Sequence, residues 1–198
     1  MDMTARATPR EVLDFWFDEV GEEGWFGGGD ALDAQVRERF LPTWEAAMEG
    51  RLGLWLVTPP EALAYVVVLD QFPRNMFRGT SRAFASDRHA RAAAKTAINR
   101  GWDLKVPEPE RQFFYMPLQH SENLVDQDRC VRLFKARLPS HPDQIVHALA
   151  HREQIRRFGR FPMRNAALGR PSTPEEEAFL AAGGYGALVK EIEAARAA

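Results

Sequence analysis

Apolar residues along this 198-residue chain recur mostly at three- and four-residue spacing, in stretches punctuated by proline and glycine. That is the period of helix faces, and alternating, strand-like runs are few. Three helix starts share one arrangement: Thr8-Pro9-Arg10-Glu11, Thr58-Pro59-Pro60-Glu61 and Thr173-Pro174-Glu175-Glu176. Each puts a threonine at the N-cap, where its hydroxyl can accept from first-turn amides. Proline follows at the first helical position, where its missing N–H costs nothing. An acid then stands where it can reach back to the cap. Ser140-His141-Pro142-Asp143 is a looser version. The pattern predicts an all-α chain.

The first helix, over about 9–20, carries Val12, Leu13, Phe15, Trp16 and Phe17, more apolar surface than one stripe needs, and is expected to be buried on two sides. The glycine-rich stretch 24–29 reads as a turn; it lacks the lysine and the preceding strand of a phosphate-binding loop. Further helices are expected over about 30–49, from Thr58 to the Asp70-Gln71-Phe72-Pro73 stop, and over about 86–100. A shorter one follows Pro107 and Pro109 and is kinked or ended by Pro117. The last are expected over 121–137 with Ser121 as N-cap, over 142–158, and as a short pair after Thr173 split by Gly183-Gly184. No 34-residue repeat and no long linker interrupts this series, so one helical domain of antiparallel pairs over 1–198 is expected.

Composition narrows the function classes. With 45% hydrophobic residues the chain can bury a core without a metal or disulfide staple. Its one cysteine, Cys130, excludes an intrachain disulfide and suits a reducing compartment. The start, MDMTARATPREVLDFW, has no uninterrupted apolar core of a secretory leader, and the apolar run near 63–69 is too short for a membrane span. A net charge of -2 offers no general field for nucleic acid. No motif asks for a cofactor or metal. His147 and His151 have metal-ligand spacing, but Ala148 stands where a metalloprotease helix needs glutamate. Ser121 lacks a glycine elbow and Cys130 sits mid-helix, so neither reads as an activated nucleophile.

Polar chemistry gathers in three segments. The first runs from Asp70 and Gln71 through Phe72-Pro73-Arg74-Asn75 to Arg78; the second, from Phe113 to Asn123, holds Gln119, His120 and Glu122; the third, 157–170, holds Arg160, Phe161-Pro162-Met163-Arg164-Asn165 and Arg170. In the first and third, Phe-Pro should turn the preceding residue out of the helical region and present Arg-Asn beyond the helix end. Lysine occurs only at 95, 105, 135 and 190, so 22 of the 26 basic residues are arginine, whose planar fork suits carboxylate or phosphate. Near the third segment the local sequence offers one acid, Glu153, against Arg152, Arg156, Arg157, Arg160, Arg164 and Arg170. If the turns meet, the cleft is positive. His120 and Glu122 are the acid–base candidates, and His151 reads as a buried, hydrogen-bonded histidine or a cleft wall. The plainer alternative is two similar helix stops, arginines on solvated faces and a capped core histidine.

LDQFPRNMFRGTSRAFASD, FFYMPLQHSEN and HREQIRRFGRFPMRNAALGRPST together resemble the signature stretches of the bacterial family catalogued as domain of unknown function 924, over roughly 12–180. The resemblance implies an all-helical fold of stacked antiparallel pairs, similar to the tetratricopeptide-like superfamily, and a cytoplasmic location. It implies no activity. Its last motif usually reads FPHRN, and here Met163 takes the histidine position.

Two functional readings follow. In one, a cleft binds a small anionic molecule and either holds it or acts on it. Arg74, Arg78, Arg160 and Arg164 supply charge, and Asp70, Gln71, Asn75, Gln119, His151 and Asn165 line the site. His120 and Glu122 would exchange protons. In the other, a helical scaffold grips an acidic peptide or protein partner. Arginines interleaved with aromatics could stack bases, but no nucleic-acid module signature is present.

Overall fold

The computed structural model describes residues 6–197, and these form helices and turns with no strand among them. Residues 1–5, part of the stretch read above as lacking a leader core, lie outside the described residues. The chain divides into two compact units, one ending at Pro117 and one beginning at Leu118.

In the first unit, α1 (Pro9–Leu13) starts with the full reciprocal cap expected at Thr8, whose hydroxyl accepts from Glu11 N while Glu11 returns to the Thr8 amide. The single helix expected over 9–20 is then corrected: the backbone widens into π-helical turns over Asp14–Val20 before α2 (Gly21–Trp25). A wider turn rotates less per residue, so consecutive aromatics can enter one core. Phe15 meets Phe40 with ring centroids 4.9 Å apart, Trp16 meets Phe72 at 5.6 Å, and Phe17 meets Phe113 at 5.4 Å.

Around this cluster pack α3 (Asp30–Met48), α4 (Pro59–Asp70), α5 (Phe72–Met76) and α6 (Asp87–Asn99). Every residue of α4 from Ala62 to Asp70 is buried, as suits a helix apolar on all sides and enclosed by α1, α3 and α6. Thr58 does not cap its backbone; its hydroxyl bonds the Glu61 carboxylate instead. The stop expected at Asp70-Gln71-Phe72-Pro73 is found, with α4 ending at Asp70, but the expectation that Phe-Pro turns Phe72 out of the helical region is corrected. Phe72 lies inside the helical turn α5, held by the burial of its ring 4.6 Å from Phe40, and Pro73 sits where an amide has no helical duty.

The short α7 (Met116–Gln119) carries the chain across the boundary between Pro117 and Leu118, and α8 (Leu124–Arg137) follows in the second unit, capped by Asn123 and not Ser121. Asn123 accepts from Val125 N at 2.9 Å, while the Ser121 hydroxyl donates to Asp126 at 2.9 Å. A short connection returns the chain as α9 (Gln144–Phe158), packed on α8, and α9 ends at Gly159, whose φ of 68° a side chain would resist. Beyond it, Phe161 is extended as expected (φ -91°, ψ 107°) before one tight turn at Pro162–Arg164. Thr173 caps α10 (Pro174–Ala181) with both halves of the box, and α11 (Gly184–Ala197) lies against α9. Among the described residues, no helix is long and apolar enough to cross a membrane.

Candidate functional site

The polar residues of the first segment bond within the first unit. Asp70 is fully buried at the C-terminal end of α4, where the helix dipole disfavours a carboxylate. Its compensation is the Gln71 amide at 2.5 Å and the Arg74 guanidinium at 3.5 Å. Arg74 also donates to the Asp70 carbonyl and reaches Asp87 at 3.0 Å. Asn75 donates to Asp33 at 2.8 Å, and Arg78 grips the same carboxylate at 2.6 and 2.8 Å. The Arg78 hydrogen bond holds the Asp33 carboxyl below its ordinary range. Gly28 (φ 66°) lets the chain pass this pair: a Cβ there would lie 2.9 Å from the Arg78 guanidinium.

Inside the second unit, the end of the second segment, at Glu122, meets the third. Glu122 receives both arms of Arg170 at 2.7 and 2.9 Å, and its Oε1 also accepts the Phe161 amide at 2.8 Å. These bonds hold its carboxyl in the ionised form, against burial acting the other way. Arg170 donates onward to Asn165 at 3.0 Å, and Asn165 donates to Glu176 at 3.1 Å. Glu176, 2% exposed, takes both arms of Arg160 at 2.6 and 2.7 Å, and that bond draws its carboxyl down to about 2. One network of two carboxylates, two arginines and an asparagine therefore ties 122 to 160–176.

Beside it stands an aromatic and imidazole cluster. The His151 ring lies 6.0 Å from His120, 5.5 Å from Phe161 and 4.9 Å from Tyr185, centroid to centroid. Its Nδ1 is 2.8 Å from the His147 carbonyl. A carbonyl can only accept, so Nδ1 carries the proton and the neutral ring keeps its lone pair on Nε2. Burial, with His120 and then Arg164 nearby, pushes His151 down to about 3. The same Arg164 helps to lower Glu122, and its guanidinium lies 4.6 Å from the Phe161 ring. His147 Nδ1 is 2.7 Å from the Tyr185 hydroxyl, whose titration burial pushes up. Gln119 is buried with its Oε1 unpartnered, and Gln154, 1% exposed and one turn on from His151, has both amide atoms unpartnered among the described residues.

The local charge count needs correcting. Arg152 meets Asp128 at 3.5 Å, Arg157 reaches Glu191 at 3.4 Å, and Arg160 and Arg170 hold Glu176 and Glu122. An excess of arginine along the chain is therefore largely balanced in space. Sequence reasoning missed Asp33, Glu176, Tyr185 and Gln154. Only Glu176 carried a signal, its place in a capping box. Among the described residues, no group of three or more His, Cys, Asp or Glu is arranged to hold a metal.

A family model described as a bacterial protein of unknown function, DUF924, matches residues 12–184. A solved structure of a protein of unknown function from Agrobacterium tumefaciens is similar to the chain at 41% identity and a TM-score of 0.82, covering 87% of this chain and 96% of that one. No curated protein matches the sequence.

Proposed function

The chain belongs to the bacterial family DUF924, and from that premise we infer that its second unit binds a small anionic molecule at the cluster of His120, His151 and Arg164. The observation that supports this most is a buried, unpartnered amide close in the chain to each histidine: Gln119 precedes His120, and Gln154 stands one helical turn on from His151. An unpartnered buried polar atom costs about 1–3 kcal/mol, so the free ends of Gln119 and Gln154 are costly unless something polar meets them. A ligand acid would set its charge toward Arg164 and share a proton with the Nε2 lone pair of His151. His120 would be the partner in any proton transfer. Glu122 would hold the Phe161 turn in place through Arg170, and Arg160 and Asn165 would brace the same turn through Glu176. In the first unit, Asp70, Gln71, Arg74, Asn75 and Arg78 would serve the fold through their mutual bonds. A tetratricopeptide-like stacking and a cytoplasmic setting belong to this reading. The first is supported by α8, α9 and α11 packing in succession, the second by the single, buried cysteine.

Thermal shift with phosphate, acetate and citrate tests it, using Arg164→Ala and His151→Phe as controls. A ligand at 100 times its Kd stabilises by about 2.7 kcal/mol, which raises Tm by roughly 5–10 °C for a chain of this size. A shift lost in both variants supports the site. No shift, or a shift equal in all three proteins, refutes it. One feature favours the second reading, a scaffold for an acidic peptide. Val125 and Met163, 73% and 63% exposed, lie within a few residues of Glu122 and Arg164 and could add apolar contact to an arginine grip. In that case an acidic peptide would stabilise the protein and the small acids would not.

A further inference from the structure

The first unit has a cleft of about 310 Å³ bounded by α1 with its π-helical continuation, the start of α4 and the segment 105–110. Arg10, Leu13, Asp14, Phe17 and Asp18 reach it at helical spacing, from one face of that first element. Leu13 and Phe17 are only partly buried and, with Leu63 of α4, give the cleft an apolar wall. Its charges are unevenly matched. Arg10 also feels Asp18, but its guanidinium is held on Asp14 at 2.6 and 2.7 Å. Among the described residues, the side chains of Asp18 and Glu110 make no hydrogen bond or ion pair. Asp33, Glu122 and Glu176, by contrast, are each gripped by an arginine. The two carboxylates are near enough to repel, since the charge of Asp18 adds to burial in raising the Glu110 carboxyl above its ordinary value. Both stay accessible: Asp18 is exposed, and the half-buried Glu110 keeps its oxygens open to solvent.

We propose that this cleft binds a small primary amine as its ammonium ion, with the nitrogen at Asp18 and Glu110 and the hydrocarbon part on Leu13, Phe17 and Leu63. Charge argues for a monocation: Arg10 and Asp14 cancel, and Asp18 and Glu110 outweigh Lys105 by one negative charge. The head group follows from the pair of acids. An ammonium carries three donors and no acceptor, so one nitrogen can serve two carboxylates, which only accept. Placed between them it also relieves their repulsion. A bare metal ion fits less well, since hard divalent cations take six or more oxygens. Among the described residues, no group of three or more His, Cys, Asp or Glu is arranged to hold one. The apolar wall calls for a hydrocarbon part, and the volume lies at the low end of the roughly 300–1,000 Å³ of ordinary ligand sites, so the molecule is small. This site is in the first unit and stands whether or not the histidine cluster of the second binds an acid.

Pentylamine, 1-pentanol and methylamine test the two halves of the proposal separately. Pentanol keeps the chain without the charge, and methylamine keeps the charge with almost no chain. An alkylamine, like the lysine side chain, titrates near about 10.4 and is an ammonium ion at pH 7. Binding is followed by the side-chain carboxyl carbon resonances of Asp18 and Glu110. Pentylamine is expected to bind saturably, shift both resonances and exceed pentanol by at least about tenfold in affinity, the value of one hydrogen bond to a charged group. It should exceed methylamine by a similar factor, the value of about two buried methylenes. The double variant Asp18→Asn/Glu110→Gln keeps the shape of the cleft and should bring pentylamine down to the affinity of pentanol. Glu193→Gln removes a charge from an exposed position of α11 and should leave pentylamine binding unchanged. Circular dichroism verifies that both variants are folded. No saturable pentylamine binding, equal affinity for pentylamine and either of the other probes, binding unchanged in the double variant, or an equal loss in Glu193→Gln would each overturn the proposal.

Discussion

Acidification should loosen the second unit through His151 before it reaches the carboxylates. In the unfolded chain this ring titrates near 6.5; in the folded one burial and the neighbouring His120 bring it down to about 3. Between those values the unfolded chain binds a proton that the native chain refuses. The stabilisation is therefore complete above about pH 7 and declines as pH falls, by at most about 1.4 kcal/mol per pH unit. Carried to pH 5, the full displacement amounts to about 2 kcal/mol; the partial exposure of the ring reduces this to about 1–2 kcal/mol. Glu122 and Glu176 work in a lower window. Their folded values are depressed by Arg170 and Arg160, so their contributions hold above the ordinary carboxylate value of about 4.5 and fade only below it. Between pH 7 and 5, His89 of the first unit, also lowered by burial, acts in the same direction, while Glu110, raised by burial, acts in the opposite one. Urea unfolding at both pH values, with a carbon-detected titration of each histidine, measures the effect. His151→Phe should flatten the slope and His89→Phe should leave most of it. A His151 midpoint near 6.5, or equal acid loss in the unaltered protein and His151→Phe, would refute the reasoning.

Arg170→Ala removes both arms from Glu122 and leaves a half-buried carboxylate with only the Phe161 amide, which should cost about 2–3 kcal/mol by urea unfolding. Adding Glu122→Gln should recover part of that loss, and a double-mutant coupling near zero would show that the pair does not hold the Phe161 turn. Phe72→Ala, deleting a fully buried ring that contacts Phe15, Trp16 and Phe40, should cost about 3–5 kcal/mol, and a loss below 1 kcal/mol would mean that the aromatic cluster can close over the gap.

Much of the helical layout was legible because its signals are local. The capping boxes at Thr8 and Thr173 formed with the partners their spacing names, and the helix expected over about 30–49 is α3, Asp30–Met48. Where local rules failed, packing outweighed them. The Phe-Pro step at 72–73 should have left the helical region as the one at 161–162 does, but the Phe72 ring is surrounded by aromatics that hold it in a helical turn. The straight helix expected over 9–20 widened because three consecutive aromatics find contacts in one cluster. Ser121 lost its expected capping place to Asn123 and instead holds Asp126.

The candidate site divides in the same way. The sequence by itself determined the residue types, the three segments that carry them and the family to which they belong. It could not determine which arginine meets which acid. Arg78 and Asp33 are 45 residues apart in the chain, and Arg170 and Glu122 are 48 apart. Only the tertiary structure turned a positive stretch of sequence into a balanced network, and only it brought His120, His151, Phe161 and Tyr185 together. A helix is set by bonds between residues four apart, which the sequence lists in order. Ion pairs and desolvated imidazoles depend on distance through space and on what excludes water, and both arise only when the helices pack.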